Sequence, residues 1–307
     1  MTLAEVYSAW RAEKQKSLRA TSYSTYVLLI EKHIMPLIAD KGPLTKEDVV
    51  MVRDKALKNG ASERTAHDCA GILMGIIRFA AKKGWWPQPT WEMEKPSAPQ
   101  KAEFRLLTKE EQRAIIEQIG KERSARNIGI YLALTTGISM GELCNLTWQD
   151  IDFKAQALHV RGLIRRFYQM ADEGENRTWS KSRDTDASVR DIPLAPEQLE
   201  FLKEEEGRHR PEMFIMSNDI KPTDPKVIRA HFKSLCSKAD IKGVQFKDLR
   251  YTFAVRCIEA GCNYSTLALL LGNGNIARLA ELYDKYVKKE PRKCMGSMMS
   301  SLLEDYL

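Results

Sequence analysis

The chain has 307 residues, enough for two domains of ordinary size with at least one sizeable core. Hydrophobic residues make up 43% of it and charged residues 29%, a globular balance that excludes an intrinsically disordered protein. The net charge of +7 and the pI of about 9.0 favour an acidic partner, and nucleic acid is the commonest one. Charge alone does not separate such a protein from one that is merely basic.

The six cysteines and five histidines do not indicate a metal site or a disulfide framework. No two cysteines form a CxxC pair, and the histidines do not stand near them at zinc-ligand spacing. The N-terminal run MTLAEVYSAWRAEKQ is charged and holds no long apolar stretch, so it predicts neither a signal peptide nor a transmembrane span. We therefore expect a cytoplasmic protein that has no membrane partner.

Capping residues predict where four helices begin in the first part of the chain. A Ser or Thr that accepts a backbone N–H, often with an acid three residues later, marks a helix N-terminus. Such residues stand at Thr2 with Glu5, at Thr21 and Ser22, at Thr45 with Asp48, and at Ser62. Apolar residues at helical spacing follow them, and Gly84 is a plausible stop. Because these apolar stripes need one another, residues 1–87 are predicted to form a helical bundle.

A proline-rich segment divides the chain at about residue 100. Pro87, Pro89, Pro96 and Pro99 break the helical pattern, so residues 88–103 are predicted to be a linker. Residues 104–307 form the predicted second domain, which opens with a capping box at Thr108. Its predicted elements are helices over 109–119, 125–136 and Gly141–Leu146, strands over Ile151–Val160 and Val189–Leu194, and further helices from Asp224 onward. The fold class is therefore mainly α with a small β-sheet (α+β).

The segment FKDLRYTF at 246–253 carries residues suited to phosphodiester chemistry. Metal-free phosphodiester transfer needs a nucleophile, fixed cations on the non-bridging oxygens and an acid for the departing oxygen. The segment and the run AVRCIEAGCNYSTLALLLGN after it resemble the second active-site box of tyrosine recombinases (phage integrases), HxLRHTFAT…G…LLGH. The resemblance gives Lys247 the place of the box's His and Arg250 that of its phosphate-binding Arg. Asn273 takes the place of the LLGH His, where it can donate to phosphate but cannot act as an acid or base.

The same resemblance implies a tyrosine nucleophile about nine or ten residues beyond the last box position. Tyr283 lies ten residues beyond Asn273, and Tyr286 lies thirteen beyond it. We favour Tyr283 and keep Tyr286 as the alternative. Each could instead be a partly buried core tyrosine with a hydrogen-bonded hydroxyl.

Residues 134–152, LTTGISMGELCNLTWQDID, resemble the family's first box, LxTGxRxxELxxLxWxDID, at almost every position. The departure is Ser139, which stands where the family has its first catalytic Arg, and Glu142 would brace that part of the site. A serine hydroxyl can hydrogen-bond phosphate but brings no positive charge. Losing one such donor costs ~3–4 kcal/mol, so either the protein is slow or inactive, or another cation fills the gap. The candidates, by proximity in sequence alone, are Arg161, Arg165 and Arg166.

The family's remaining active-site residue is a Lys on a β-hairpin before a strand that ends in PL. The run WSKSRDTDASVRDIPL matches this pattern and makes Lys181 the candidate general acid for the 5′ leaving group. Arg177, Arg183 and Arg190 nearby are candidates for phosphate contacts. A solvated, charged hairpin is an equally weighted alternative.

The helical first part resembles the family's core-binding domain, which implies a duplex partner. Seven cations could meet its phosphates, although each one singly could be an ordinary surface residue. They are Lys14, Lys16, Arg19, Arg64, Arg78, Lys82 and Lys83. Because this domain begins almost at residue 1, we expect no separate arm-binding domain before it.

The resemblance implies an enzyme for DNA recombination that integrates or excises a mobile element and works as a tetramer on double-stranded DNA. The C-terminal helix would be exchanged between protomers, although it could instead pack on its own domain. No metal or nucleotide cofactor is expected, an accessory directionality factor is possible, and the setting would be a bacterial or phage-infected cell. Two alternatives are a catalytically impaired DNA-binding relative, which Ser139 and Asn273 favour, and a type IB topoisomerase-like enzyme, which the short layout disfavours.

Overall fold

The computed structural model describes residues 1–92, 105–166, 179–182, 189–272 and 281, and of residues 165–166 and 179–182 it describes only the backbone. Contacts divide the chain into two compact units. Unit 1 comprises Met1–Ala102 with Arg166–Ser180, and unit 2 comprises Glu103–Arg165 with Lys181–Leu307. Within the described ranges, every helix is too short or too polar to cross a membrane.

Unit 1 is a bundle of helices. They are α1 (Leu3–Ser17), α2 (Ala20–Leu29), α3 (Met35–Ile38), α4 (Lys46–Lys58) and α5 (Glu63–Lys82), with a π-helical segment at Ile30–Ile34 between α2 and α3. The predicted capping boxes at Thr2 and Thr45 are confirmed, as is the cap at Ser62. The predicted start of the second helix was wrong, because α2 begins at Ala20 after Arg19, which makes no side-chain cap.

Helix α5 is the central element of unit 1, since α1, α2 and α4 all pack against it. One side of it is apolar and buried, and includes Leu73 and Ile76 at 0% exposure. The predicted stripe on α1 also lies in this core, where Trp10 stacks on Tyr26. The opposite side of α5 faces solvent and includes two glycines, whose added Cβ atoms would meet no other heavy atom within 4 Å.

Unit 2 joins seven helices in its described part to a small sheet. The helices are α6 (Lys109–Lys121), α7 (Ala125–Thr136), α8 (Met140–Asn145), α9 (Pro196–Lys203), α10 (Pro225–Lys238), α11 (Phe246–Glu259) and α12 (Tyr264–Leu271). The predicted capping box of Thr108 with Glu111 is confirmed. A core of α6–α8, the sheet, α10 and the start of α11 is continuous, and a second cluster joins α11 to α12.

The sheet has three antiparallel strands in the order β1–β2–β5. These are β1 (Ile151–Asp152), β2 (Ala157–Val160) and β5 (Arg190–Pro193), and a separate two-stranded sheet pairs β3 (Leu163–Arg166) with β4 (Trp179–Ser182). The register places Leu158 opposite Ile192 and Val160 opposite Arg190. The predicted single strand over Ile151–Val160 was wrong, because a turn through Gln156, at a φ of 54°, folds it into a hairpin. The mainly α fold class with a small sheet is confirmed.

The Trp10 site provides a test of core packing in unit 1. Its side chain is buried, and its Nε1 has no hydrogen-bond partner among the described residues. We expect Trp10→Ala to lower the free energy of unfolding by about 3–5 kcal/mol, because it leaves a large cavity. Trp10→Phe should cost less than half as much, since it keeps most of the ring and removes an unpaired donor. Equilibrium denaturation followed by circular dichroism measures both, and equal losses would contradict this account.

Candidate active site

The first box forms a tight connection between two helices of unit 2. Helix α7 ends at Gly137, which has a φ of 67° and whose added Cβ would lie 2.3 Å from a ring carbon of Phe253, so the position requires glycine. Two residues later Ser139 begins α8: its hydroxyl accepts from the Glu142 N–H at 3.4 Å. The Glu142 carboxylate in turn accepts from the Ser139 N–H at 2.6 Å. Ser139 therefore acts as a helix cap.

The Glu142 carboxylate lies between two guanidinium groups. Arg190 Nη1 on β5 donates to Glu142 Oε1 at 2.6 Å, and Arg250 Nη1 on α11 lies 3.5 Å from Glu142 Oε2. The side chains of Glu142 and Arg190 are only 5% and 9% exposed, whereas that of Arg250 is 23% exposed. Since a buried charge is costly unless it is paired, the carboxylate and the two cations stabilise one another.

These contacts control the ionisation of the cluster. Burial alone would raise the pKa of Glu142, but the Arg190 hydrogen bond and charge, the Ser139 N–H and the Arg250 charge together hold that pKa below its ordinary value. Burial lowers the pKa of Arg250, while the Glu142 charge acts in the opposite direction. An arginine remains protonated in either case, so the cluster carries a net positive charge at neutral pH.

Both arginines also bind the C-terminal ends of helices, where unpaired carbonyls carry partial negative charge. Arg250 donates to the Gly137 carbonyl at the end of α7, at 2.8 Å, and to the Leu271 carbonyl at the end of α12. Arg190 Nε donates to the Leu270 carbonyl at 2.5 Å. Arg250 thus has its guanidinium fixed by three elements distant in sequence.

Arg250 lines an open pocket of about 490 Å³ on unit 2. Ser139 and Lys247 line the same pocket, so three of the predicted site residues lie together, and Arg229 of α10 lies there as well. Lys247 lies one turn before Arg250 on α11, is exposed, and has no hydrogen bond or ion pair within the described residues. The pocket therefore presents positive charge to solvent at a place where an anion could enter.

Several predicted site residues cannot be placed. Lys181 lies in β4, but its side chain is not among those described. Asn273, Tyr283, Tyr286, Arg177 and Arg183 lie outside the described residues. Among the residues that are described, no three His, Cys, Asp or Glu side chains form a group able to hold a metal ion.

Two of the candidate arginines lie against acids. Arg161 was a candidate to replace the missing cation, but it pairs with Asp150 at 3.5 Å and does not line the pocket. Arg190 was a candidate for phosphate contact, but its guanidinium is buried against Glu142. The side chains of Arg165 and Arg166 are not described. Sequence reasoning also missed Arg229, because nothing in its spacing relates it to Ser139.

The predicted DNA-binding cations of unit 1 form two groups on its surface. Lys14, Lys16 and Arg19 lie at the end of α1 and just beyond it, with the Lys14 Nζ 6.0 Å from the Trp10 ring centroid. Arg64, Arg78, Lys82 and Lys83 lie on α5 or at its end, and all four are exposed. Lys83 pairs with Glu13 at 3.8 Å, and Arg64 lies 4.0 Å from Asp68.

The Glu142 cluster predicts a pH-dependent stability. Because its pKa is lowered in the fold, ionised Glu142 contributes stability that is fully present above the ordinary value of 4.5 and is lost as the pH falls through the lowered value. We expect Glu142→Gln to lower the free energy of unfolding by about 3–5 kcal/mol at pH 7, since it leaves the buried guanidinium of Arg190 and the partly buried one of Arg250 without their anion. The difference from wild type should shrink as the pH falls below 4.5.

Urea denaturation at pH 7 and at acidic pH measures this difference. Glu206→Gln is the matched control, because Glu206 is exposed and forms no ion pair within the described residues. A Glu142→Gln loss that stayed constant across the pH range would contradict the charge-based explanation.

Comparison with known proteins agrees with this architecture. A model of the phage integrase family matches residues 105–290, more than half of the chain. Over 268 residues the chain is 25% identical to a tyrosine recombinase XerC-like protein of Caldanaerobacter subterraneus subsp. tengcongensis, covering 80% of this chain and 68% of that protein.

Two solved structures share the fold. One is the Tn1549 transposon integrase in complex with transposon right end DNA, with a TM-score of 0.70 at 18% identity, covering 97% of this chain and 100% of that one. The other is a lambda integrase tetramer bound to a Holliday junction, with a TM-score of 0.64 at 15% identity, covering 91% and 77%. The match to residues 105–290 includes every residue that lines the Arg250 pocket. Because it covers more than half of the chain, the chain belongs to the phage integrase family.

Proposed function

We propose that the chain is a site-specific recombinase that cuts and rejoins double-stranded DNA through a 3′-phosphotyrosine intermediate. The observation that carries the proposal is the fixed Arg250 guanidinium, which Glu142 and two helix ends hold at a pocket open to solvent. A preorganised cation of this kind stabilises charge that develops on phosphate oxygens during transfer. Membership of the phage integrase family supports the same chemistry.

In the proposed reaction the phenol of Tyr283 gives its proton to water as its oxygen attacks phosphorus, and the bond from phosphorus to the 5′ oxygen breaks. Lys181 gives a proton to that oxygen, which leaves as a hydroxyl. The 5′ hydroxyl of a partner strand then attacks the 3′-phosphotyrosine and gives its proton back to Lys181, while the tyrosine leaves and takes a proton from water. Arg250, Lys247 and Asn273 bind the non-bridging oxygens in both steps. The phosphotyrosine bond keeps the energy of the broken bond, so the cycle needs no nucleotide cofactor.

We further propose that the protein acts on a mobile element in the cytoplasm of a bacterial or phage-infected cell. The structural similarity to a transposon integrase in complex with transposon right end DNA supports an integration or excision role. The similarity to a lambda integrase tetramer on a Holliday junction supports a homotetramer on DNA. Exchange of the C-terminal helix between protomers is part of the same proposal. A directionality factor that selects integration or excision belongs to the same proposal.

Within unit 1, the solvent face of α5 is proposed to bind the phosphate backbone. Gly71, Gly75, Arg78 and Lys82 recur along the exposed side of this helix at helical spacing, and open space surrounds both glycines. Because glycine has no side chain, a duplex can approach the helix backbone closely, and the two cations can then neutralise its phosphates. The domain boundaries that we propose are 1–87 for this DNA-binding domain and 104–307 for the catalytic domain.

A change of charge on α5 tests this face. We expect Arg78→Gln to reduce the slope of log binding constant against log salt concentration by about 0.9, because one fewer counterion is released. The loss of affinity should be similar for all duplex sequences. Fluorescence anisotropy at several salt concentrations gives the slope. Lys46→Gln, which removes an exposed cation at the start of α4, is the control and should keep the wild-type slope.

The nucleophile is tested by covalent trapping. A library of nicked duplexes with randomised flanks loses the short strand after cleavage, so a protein–DNA adduct accumulates and can be isolated under denaturing conditions. We expect an adduct with wild type and with Tyr286→Phe, and none with Tyr283→Phe, which keeps the ring but lacks the attacking oxygen. An adduct that survives in Tyr283→Phe and disappears in Tyr286→Phe would assign the nucleophile to Tyr286 instead.

A second function is favoured by one observation, the neutral capping residue Ser139 where the family has an arginine. In that case the chain is a DNA-binding relative without catalysis. The trapping experiment separates the two functions. A wild-type chain that selects sequences from the library by binding, yet forms no adduct, would overturn the recombinase proposal and support this alternative.

A further inference from the structure

We propose that Arg229 supplies the phosphate-binding cation that Ser139 lacks. The inference rests on the proposed recombinase function and adds a catalytic residue to it. Its basis is the pocket of about 490 Å³, in which Arg229 of α10 lies together with Ser139 and Arg250.

Ser139 itself cannot fill the electrostatic role. Its side chain is neutral, and its hydroxyl already accepts the N–H of Glu142 at the start of α8. Two phosphate oxygens share the charge that develops during transfer, so a second guanidinium that acts with Arg250 and Lys247 stabilises that charge further.

The other arginines with described side chains near this site already have ionic partners. Arg190 is bound to Glu142 and to the Leu270 carbonyl, and Arg161 is paired with Asp150. Arg229, in contrast, is exposed and forms no hydrogen bond or ion pair with any described residue. Its donors therefore remain open to an anion that enters the pocket.

The position of Arg229 is fixed by the packing of α10. Asp224 caps the helix, and Ile228 and Phe232 on either side of Arg229 lie buried in the core. Helix α10 packs against α8, which Ser139 begins. The Arg229 charge also acts on buried Cys144 of α8: burial raises the pKa of that thiol to about 12, and Arg229 acts to lower it. The buried neighbours on α10 thus fix the backbone of Arg229, which lines the same pocket as Ser139.

Arginine is suited to this task because its planar fork donates to two phosphate oxygens at once. The cation would then reach the phosphate from α10, whereas an arginine at position 139 would reach it from the start of α8. The serine can then keep its capping geometry without loss of the second cation.

The test uses single-turnover cleavage of a nicked duplex recovered from the trapping library. We expect Arg229→Met to slow cleavage by about 100- to 1,000-fold, the range for loss of one preorganised donor, with less than about a fivefold change in duplex affinity. Arg229→Lys should recover part of the rate. Lys233→Met is the matched control, since Lys233 is an exposed cation one turn later on α10 that does not line this pocket.

A neutral substrate separates a catalytic role from a structural one. When a methylphosphonate replaces the scissile phosphate, one non-bridging charge is absent, so the difference between wild type and Arg229→Met should fall below about tenfold. A defect caused by misfolding would persist on this substrate. Ser139→Arg in the Arg229→Met background should restore cleavage by at least about tenfold on normal DNA, because it returns a cation to the family's usual position.

The outcomes distinguish this inference from the proposed function. If wild type forms no adduct, both fail. If wild type cleaves and Arg229→Met cleaves within about threefold of it, or if the Arg229→Met defect is unchanged on methylphosphonate, Arg229 is not the missing cation and the recombinase proposal stands.

Discussion

The shared Glu142 carboxylate is the interaction on which the rest of the site depends. It accepts the Ser139 N–H at the start of α8. It also pairs with the guanidinium of Arg190 on the sheet and with that of Arg250 on α11. A single buried anion therefore sets the relative positions of a helix start, a strand and a second helix. Without it, two cations would repel each other in a poorly solvated place, and only the Gly137 and Leu271 carbonyls would hold Arg250 at the pocket.

Strict backbone requirements surround this interaction. Gly137 and Gly272 both end helices with positive φ, and an added Cβ at Gly272 would lie 2.5 Å from Arg190 Nη1. These glycines let the helix carbonyls approach the guanidinium groups directly. The TG segment of the first box and the LLG segment of the second therefore act alike. Each one lets the C-terminus of a helix contact an arginine.

Local signals in the sequence predicted local features well. The capping boxes at Thr2, Thr45 and Thr108 each involve residues only three apart, so the pattern can be read directly. The turn at Gln156 could not be predicted, because a non-glycine residue with positive φ carries no sequence signal. The start of α2 was missed for the related reason that Arg19 provides no side-chain cap.

The same distinction between local and long-range features applies to the candidate site. Lys247 and Arg250 were predicted because they share one turn of one helix and match a known box, and the structure places both at the pocket. The pairing of Arg190 with Glu142 spans 48 residues and follows from packing, which no spacing rule contains. The position of Arg229 in the same pocket as Ser139 depends in the same way on how α10 packs against α8.

The two solvent-facing glycines of α5 lower the stability of the protein when no ligand is bound. In a helix interior each glycine is about 1 kcal/mol less favourable than alanine, so Gly71 and Gly75 weaken the central helix of unit 1 by about 2 kcal/mol together. A ligand that binds only the folded state returns stability in proportion to the logarithm of its concentration over its dissociation constant. A protomer bound to DNA through the proposed α5 face would therefore resist proteolysis better than one in solution.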